Sequence, residues 1–363
     1  MRNTFGNNIS ITLFGESHGD MIGAVLDGLS AGVVIDYAAI EREMNKRRPY
    51  GKISTARHEE DKARIVSGVM NGVTTGTPIT ILIENSNASS KDYSALKDTP
   101  RPSHADYTAQ IKYKGYQDYR GGGHFSGRLT APIVAAGAII QSALKEKGIL
   151  IGTHIKSLHG ASDRDFSSYT DDVKLLSDKL FPVLDPASEK SITDEILRAQ
   201  EAGDSVGGIL ETALIGLPAG IGEPWFDSLE STLSHVLFSI PGIKGVEFGL
   251  GFGFAEKYGS EVNDPFSTDG EKIFTLTNNS GGINGGISNG MPVVFRVAVR
   301  PTPSIFKEQD TVCLSRMENT VLKIDGRHDP AIIHRARAVV DAVSAIAIAD
   351  ALVSTFGTSY FGG

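Results

Sequence analysis

The sequence predicts a mixed α/β protein built from two similar halves, in which helices pack against sheets. Three observations predict this fold class. Short segments alternate apolar and polar residues, two longer segments have helical character, and glycine-containing motifs recur in the same order along the chain. At 363 residues, 40% of them hydrophobic, the chain is long enough to bury a large core. Its 41 glycines exceed the roughly 7% of an average protein, which indicates many turns or close backbone approaches.

The N-terminal half begins with strand-like alternation. Ile9, Ile11 and Leu13 alternate with polar residues and residues 21–26 resume the pattern, so we expect a loop over residues 15–19. The later elements of this half are expected to be a helix capped by Asp36 and ended by Pro49, a strand over 73–83, a long loop over 99–127 and a helix over 131–147 closed by Gly148.

The C-terminal half is predicted to span about residues 200–353, the first half being about 1–150 of a single domain over 1–363. Residues 151–190 carry scattered Ser, Asp and His without a clear period, so we expect an irregular surface connection there. The other predicted elements are a helix over 191–202, strands over 245–254 and 291–299, and a long buried helix over 330–353.

Four short motifs recur in order between the halves. GLSAGV at 28–33 recurs as GLPAGI at 216–221, GVTTGTPI at 72–79 as GISNGMPV at 286–293, RPS at 101–103 as RPT at 300–302, and Gly-Arg at 127–128 as Gly-Arg at 326–327, each before a helix. Coincidence among common Gly and Pro turns is one interpretation. The other is an ancient duplication, with a site where the two halves meet.

Composition excludes several classes of protein. The net charge of -8 predicts no general attraction to nucleic acid or to an anionic membrane. Cys313, the single cysteine, has no disulfide partner, and with nine histidines it gives no zinc spacing, so we expect no metal. The N-terminus lacks an apolar signal region and no run approaches the ~20 apolar residues of a membrane span. We therefore expect a soluble cytoplasmic protein.

The loop GESHG at 15–19 fits G-x-S-x-G, the nucleophile elbow of α/β-hydrolases. In that interpretation Ser17 is a nucleophile and the glycines at 121–123 form an oxyanion loop. An elbow leads from a strand directly into a helix, however, and here a strand-like segment follows. A hairpin loop with a purely structural serine remains the simpler interpretation.

Basic and histidine-containing loops suggest an anion site. The run that includes Arg47, Arg48 and Lys52 is interrupted by the tight turn at 49–51, which would fix the cations, although such runs are usually solvated. Arg101 and His104 lie in another loop. Arginines with histidines in glycine- or proline-framed loops are typical of a site that binds a polyanion and moves protons.

The segment RGGGHFSGR at 120–128 leads into a helix. Its backbone amides, the helix N-terminus and Ser126 would make an anion cradle, or Ser126 is simply a helix cap. Asp329 before Pro330 likewise has the simple interpretation of a cap. Neither a P-loop nor a strand-linked dinucleotide fingerprint occurs in the chain.

Seven segments together resemble the chorismate synthase family, from residue 5 to about 350. They are GESHG at 15–19, KRRP at 46–49, GVTTGTPI at 72–79, RPSHADYT at 101–108, RGGGHFSGRLTA at 120–131, RPTPSI at 300–305 and GRHDP at 326–330. Each is weak alone, but seven in order are highly specific.

The resemblance implies an α+β fold, an internally duplicated β-α-α-β layered sandwich with pseudo-twofold halves and helices packed between sheets, in a homotetramer. It implies a lyase of the shikimate pathway of aromatic amino acid biosynthesis. In this reaction 5-enolpyruvylshikimate 3-phosphate loses phosphate and a ring hydrogen by anti 1,4-elimination, with reduced FMN required but no net oxidation. The absence of a separate nicotinamide-binding module favours an external flavin reductase over reduction by NADPH. A serine hydrolase and a non-catalytic binder of flavin or anions are the alternatives.

The resemblance also implies residue roles. His18 would protonate the departing phosphate, His104 would protonate or hydrogen-bond the flavin near N1 and O2, and Asp329 with Ser126 would relay the abstracted proton at flavin N5. Substrate would be bound by Arg47, Arg48, Lys52 and Arg101. FMN contacts would be His124, Ser126, Pro241, Gly242, Gly285, Arg300, Pro301, Thr302, Pro303, Ser304 and Arg327.

Two positions depart from the commoner family pattern. His124-Phe125 stands where Arg-Ser is usual, and Arg300 replaces a lysine. A histidine with an ordinary pKa of ~6.5 is not fully charged at neutral pH, so we expect an altered flavin affinity.

Overall fold

Two five-stranded antiparallel sheets enclose two layers of helices. The computed structural model describes residues 3–54, 60–85, 97–324 and 328–362. The elements of the first half are β1 (Thr4–Phe5), β2 (Ser10–Gly15), β3 (Met21–Asp27), α1 (Tyr37–Arg47), β4 (Arg64–Ile65), β5 (Val69–Met70), β6 (Val73–Thr74), β7 (Ile79–Glu84), α2 (Asp106–Lys112) and α3 (Thr130–Glu146).

The second half continues directly from α3. Its elements are β8 (Leu150–Leu158), β9 (Ala161–Ser162), α4 (Tyr169–Asp178), α5 (Pro186–Glu201), β10 (Gly208–Ile215), α6 (Leu229–Phe238), β11 (Ile243–Phe248), α7 (Gly259–Val262), β12 (Phe266–Thr268), β13 (Ile273–Thr275), β14 (Ile283–Asn284), β15 (Ile287–Ser288), β16 (Val293–Val299), β17 (Gln309–Cys313), β18 (Glu318–Leu322) and α8 (Ile333–Phe356).

The layers follow the order sheet, helix, helix, sheet. Helix α3 packs against strands of the first sheet on one side and against α8 on the other, and α8 packs against β8 and β10 of the second sheet. One large apolar core therefore runs through both halves. This is the predicted α+β arrangement with helices packed between sheets.

The two sheets share the order of four of their five strands. The first runs β1-β2-β3-β7-β4 and the second β9-β8-β10-β16-β11, so β2-β3-β7-β4 and β8-β10-β16-β11 follow the same succession along the chain. The remaining edge strand differs, because β1 precedes its neighbour in the chain and β9 follows its neighbour. Gly28 follows β3 and Gly216 follows β10, and both have positive φ. A Cβ would lie 1.7 Å from the Asn8 carbonyl oxygen at the first glycine and 2.1 Å from the Gly148 oxygen at the second. The repeated motifs thus occupy matching places, which is the pattern that a duplication produces.

The expected irregular connection over 151–190 is wrong. This stretch contains most of β8, which is an inner strand of the second sheet, and all of α4. Residues 152–155 are all buried because α8 covers one face of the strand and α4 the other. A strand buried on both faces shows no alternation of polarity, so the periodicity that reveals a half-exposed strand was missing.

Other boundaries also differ from the expectations. The strand expected over 73–83 is two strands, β6 and β7, and the loop expected over 99–127 contains α2. The strand expected over 245–254 ends at Phe248, after which the chain turns into a 3-10 helix.

Two apolar segments, Arg120–Glu146 and Ile333–Phe356, are long and apolar enough to cross a membrane, contrary to the expectation that no run approaches that length. Each has 78% of its most apolar stretch buried inside the protein. A helix that is apolar on all sides is typical of the centre of a large core. The two segments therefore meet the criterion for a membrane span because they form the central helices of the core.

Candidate active site

Loops from both halves meet at one end of the two sheets. The β2–β3 loop and the start of α3 lie at this end of the first half, and the end of β16 lies at this end of the second. Side chains join the halves here. The Arg101 Nη1 atom lies 3.4 Å from Ser304 Oγ, and Arg300 donates to the carbonyl of Ser103. Loops far apart in sequence thus lie side by side.

The triglycine loop, residues 121–123, separates the two predicted catalytic histidines. All three glycines have positive φ. A Cβ on Gly121 would lie 2.2 Å from His18 Cε1, and a Cβ on Gly122 would lie 3.4 Å from His104 Cε1. The two imidazoles therefore border consecutive residues of one loop, and the first of these positions has no room for a side chain.

Ser17 ties the β2–β3 loop to the triglycine loop. Its amide donates to the Gly123 carbonyl at 3.1 Å, and its Oγ lies 3.1 and 3.2 Å from the carbonyl oxygens of Arg120 and Gly121. The same Oγ is 3.0 Å from His18 Nδ1. A hydroxyl that donates to a backbone carbonyl accepts the Nδ1 proton, which orients the imidazole. The chain continues into β3 rather than a helix, so the loop lacks the form of a nucleophile elbow.

His104 is held by a carboxylate that it shares with Arg101. Its Nδ1 lies 2.6 Å from Asp106 Oδ1, and Arg101 donates from Nε and Nη2 to the two oxygens of Asp106, each at 2.8 Å. Burial alone would raise the pKa of Asp106, but hydrogen bonds from Arg101 and His104 bring that pKa well below its usual range. Asp106 is therefore ionised, and it engages two of the three side-chain nitrogens of Arg101.

Arg47 occupies a different place from the one expected of a substrate ligand. Its side chain is 5% exposed, and Nη1 donates to Asp61 at 2.7 Å. The remaining donors reach the Gly127 carbonyl and Thr130 Oγ1, each at 3.1 Å. Asp61, with a fully buried side chain, also pairs with Arg128. All three side-chain nitrogens of Arg47 are thus used inside the protein, and two of them bond to residues at the start of α3. Arg47 therefore fixes the start of that helix.

Arg48 and Lys52 differ in exposure. Arg48 is half-buried, pairs with Glu41 and donates to the Asp61 carbonyl at 3.3 Å. Lys52 is exposed on the turn after α1. Arg48 therefore lies beside Asp61 at the end of α1, and Lys52 lies on the turn that follows this helix.

The segment after the triglycine loop serves as a cap. Ser126 Oγ accepts from the Arg128 amide at 3.3 Å and begins the turn that leads into α3, which matches the simpler interpretation of this serine. His124 Nδ1 donates to the Gly15 carbonyl at 2.8 Å. The Nδ1 proton of His124 is therefore used to hold the end of β2.

Asp329 connects the second half to Arg47. Its carboxylate accepts from Arg335 Nη1 at 2.8 Å, and Arg335 Nε donates to the Arg47 carbonyl at 2.7 Å. The Asp329 carbonyl accepts from Thr302 Oγ1 at 2.8 Å. Asp329 thus lies beside the stretch 300–304 that was predicted to contact FMN.

Of the other predicted FMN contacts, Pro241 and Gly242 lie next to the stretch 300–304, because the Arg300 amide donates to the Gly242 carbonyl at 2.9 Å. Arg327 lies outside the described residues.

Gly285 is not brought to this site within the chain. It lies in the β14–β15 hairpin, where the Leu229 amide donates to the Gly286 carbonyl. That hairpin precedes Val293, the end of β16 that pairs with Leu214 and lies farthest from Arg300. The full length of β16 therefore separates Gly285 from the other predicted contacts within one chain.

Sequence reasoning missed four residues that organise the site, namely Asp61, Asn85, Asp106 and Arg335. The spacing His-x-Asp at 104–106 was a usable signal for Asp106. Asn85 directly follows β7, and its amide contacts the loop that carries His18. Nothing in the local sequence distinguishes Asp61 or Arg335 from the charged residues that lie on the surface.

Comparisons with known proteins identify the family. A family model described as chorismate synthase matches residues 9–353. The chain is 46% identical over 348 residues to a chorismate synthase of Pyrococcus abyssi, which covers 96% of this chain and 97% of that protein. A chorismate synthase of Methanobrevibacter smithii is 46% identical over 356 residues, with 97% of each chain covered. The chain belongs to the chorismate synthase family. A solved structure titled "Crystal Structure of Chorismate Synthase" aligns with a TM-score of 0.77 at 30% identity, covering 97% of this chain and 94% of that one.

Membership of the chorismate synthase family gives the activity. The chain is a lyase that converts 5-enolpyruvylshikimate 3-phosphate to chorismate and phosphate. The serine hydrolase alternative is not supported, because the family match covers the GESHG loop and that loop lies in a β-hairpin. The family uses a flavin cofactor.

Proposed function

We propose that the elimination takes place where the β2–β3 loop, the triglycine loop and the stretch 300–304 meet, with reduced FMN as the flavin. The observation that carries this proposal is the placement of His18 and His104 against consecutive glycines of one loop. A leaving phosphate and an electron-rich flavin each need a nearby proton donor, and imidazoles have the appropriate pKa near neutrality.

His18 is the proton donor to the departing phosphate in this proposal. Ser17 Oγ holds His18 Nδ1 at 3.0 Å, which assigns the transferable proton to Nε2. Ser17 therefore acts as a positioning residue for the imidazole. This positioning role replaces the role of nucleophile that the hydrolase interpretation gave to Ser17.

His104 is the proton donor on the other side of the triglycine loop. Asp106 accepts from Nδ1, so the proton that His104 gives or takes is on Nε2, the nitrogen nearer Gly122. A carboxylate on Nδ1 also stabilises the protonated ring. Asp329, which pairs with Arg335, is the proposed proton acceptor. Ser126, which caps the turn that leads into α3, is proposed to act with it.

The donor set suits a flavin phosphate and an anionic ring, since Arg300, Ser304 and the amides after the triglycine loop lie together beside His104. Gly122 presents backbone without a side chain there, which permits close approach of a planar ring. Reduced FMN, when bound, supplies transient electron donation that helps to expel phosphate without net oxidation. A cavity of about 20 Å³ lies on one side of His104, lined by Gln117, Tyr119 and Phe125 among others.

Substrate recognition needs fixed cations for two carboxylates and a phosphate. Arg48, Lys52 and Arg101 are the proposed ligands. Arg47 is proposed to act indirectly, because it holds Asp61 and the start of α3.

The proposals on assembly and cellular context rest on the same family membership. The chain is a soluble biosynthetic enzyme whose two apolar helices are core, and we place it in the cytoplasm. We propose a homotetramer, supported by a strongly exposed apolar arm between β11 and β14. We also propose an external flavin reductase, on the ground that the sequence contains neither a P-loop nor a strand-linked dinucleotide fingerprint.

An anaerobic assay tests the reaction and the cofactor together. Protein, dithionite-reduced FMN and 5-enolpyruvylshikimate 3-phosphate are mixed, and phosphate and chorismate are measured. We expect equal amounts of both products, and none with oxidised FMN kept unreduced. Turnover with oxidised FMN alone would show that the reaction does not require the reduced flavin.

Replacement of His18 tests the residue assignment. His18→Ala should slow turnover by roughly 10²- to 10⁴-fold, the size of a general-acid contribution. His159→Ala is the matched control, since His159 is an exposed histidine paired with Glu195 on α5. Wild-type rates in the His18 variant would reassign that histidine to the scaffold.

A further inference from the structure

Asn85 uses both polar atoms of its side chain, the nitrogen on the loop that carries His18 and the oxygen on Arg128. Its Nδ2 donates to the carbonyl of Glu16 at 3.0 Å and to the carbonyl of Gly19 at 2.8 Å. Its Oδ1 accepts from Arg128 Nε at 3.0 Å. The two carbonyls lie on either side of Ser17 and His18, so one amide group spans the turn that presents the imidazole.

The backbone places this amide accurately. Asn85 directly follows β7, whose last residue, Glu84, pairs with Met21 of β3. The Asn85 amide donates to the Asp20 carbonyl at 3.1 Å and continues that ladder by one residue. The side chain therefore rises from the end of a paired strand rather than from a loose loop.

We propose that Asn85 is a positioning residue for His18 in the elimination. The triglycine loop and Ser17 hold one side of the β2–β3 loop, and Asn85 holds the other. Together they fix the imidazole between two supports, which keeps its Nε2 directed at the leaving group. This inference rests on the proposed role of His18 as proton donor.

An amide is the group this position needs. Two carbonyl oxygens require two donors, and the Arg128 guanidinium requires an acceptor, a set that asparagine supplies at this length. Aspartate keeps the acceptor for Arg128 but brings a carboxylate against two carbonyl oxygens. Alanine removes all three contacts.

The experiment compares Asn85→Ala, Asn85→Asp, His18→Ala and the double variant of Asn85→Ala with His18→Ala. We expect both Asn85 variants to lower kcat on the order of 10- to 100-fold, with KM for 5-enolpyruvylshikimate 3-phosphate changed by less than about 3-fold, because a small misplacement of a catalytic group has effects of this size. The double variant should be no slower than His18→Ala, since residues that act as one unit are not additive.

A second readout follows the loop without using activity. Amide hydrogen exchange of residues 15–20 should be faster in Asn85→Ala than in the wild-type protein, while exchange over residues 101–106 stays the same. Asn289→Ala is the matched control. Asn289 likewise bridges a turn, through Asn284 and the Met291 amide, but it lies at the opposite end of the second sheet. The Asn289→Ala variant should therefore have the kcat of the wild-type protein.

The outcomes separate the two proposals. Wild-type rates in His18→Ala would overturn the role of His18 itself and this inference with it. A slow His18→Ala together with a normal Asn85→Ala, or with additive losses in the double variant, would overturn the role of Asn85 alone. A normal rate in Asn85→Asp with a slow Asn85→Ala would also overturn it, by showing that only the Arg128 contact matters.

Discussion

Gly121 has no room for a side chain because His18 lies against it. An alanine Cβ there would be 2.2 Å from His18 Cε1 and 2.5 Å from Nδ1, and its φ of +56° already disfavours alanine. The imidazole would have to move. We expect Gly121→Ala to lower kcat on the order of 100-fold, measured in the anaerobic assay.

Gly148 provides the control for this substitution. It follows the far end of α3, has a positive φ, and a Cβ there meets nothing within 4 Å. Gly148→Ala should keep the wild-type rate. A Gly121→Ala enzyme within twofold of wild type would show that the position of the His18 ring does not limit turnover.

At the residue scale, the sequence identified the cations and imidazoles of the site but not the carboxylates that hold them. Arg47, Arg101 and His104 were expected to meet ligands, whereas Asp61 and Asp106 engage them in the structure. Residue types and their spacing show which groups are able to bind an anion. They do not show which acidic residue elsewhere in the chain neutralises them, because that depends on how separate loops pack.

At the level of elements, Gly28 and Gly216 close the same turn in the two halves. In each, a Cβ would collide with the carbonyl oxygen of the residue two positions before the first long strand of that half. Alanine at a positive φ costs ~1–2 kcal/mol by itself. We expect Gly28→Ala and Gly216→Ala to lower the free energy of unfolding by clearly more than that, as measured by urea denaturation.

Two other glycines serve as matched controls. Gly72 and Gly220 also have positive φ, but a Cβ at either meets nothing within 4 Å. Alanine there should cost only the conformational penalty. If all four variants were equally stable, the close approach of backbone would not explain why glycine occupies the repeated motif.

Helix α8 contains a histidine that the fold keeps uncharged. His334 is fully buried, with Nε2 2.8 Å from Ser54 Oγ, and burial lowers its pKa to about 3. In the unfolded chain the pKa is ~6.5. As pH falls from about 6.5 towards 3, the unfolded chain binds a proton that the folded chain does not, so stability is lost by up to ~1.4 kcal/mol per pH unit.

His334→Leu should remove this slope, as measured by urea denaturation at pH 7, 6 and 5. Asp341 on the same helix has the opposite effect, since burial raises its pKa to about 6 and the folded chain then binds the extra proton. The difference between variant and wild type isolates His334 from Asp341. A difference in unfolding free energy that does not change with pH would contradict the assignment.

At the scale of the whole molecule, the arm over residues 249–277 leaves large apolar side chains uncovered. Phe252, Tyr258 and Ile273 are 84%, 81% and 73% exposed. Exposed apolar surface of this kind is typical of a protein interface. We expect the wild-type protein to have four times the 38.7 kDa subunit mass in light scattering, and the double variant Phe252→Asp with Ile273→Asp to form smaller species.

Met317→Asp is the control for assembly. Met317 is 87% exposed in the turn between β17 and β18, away from the arm, and aspartate tolerates its positive φ. This variant should keep the wild-type mass. A wild-type protein that is monomeric, or an arm variant that remains tetrameric, would show that this surface does not hold the subunits together.

The sequence alone determined the fold class, the family and the residues able to carry the chemistry, because these depend on local periodicity and on short motifs that one stretch of chain contains. It also indicated the duplication, since GLSAGV and GLPAGI serve the same turn in each half. Tertiary structure decided the rest. Strand β8 was hidden because both its faces are buried, Gly285 was separated from Arg300 by the length of β16, and Asn85 and Asp61 gained their roles from partners far away in sequence. Contacts of that kind depend on three-dimensional packing, for which a single sequence has no local signal.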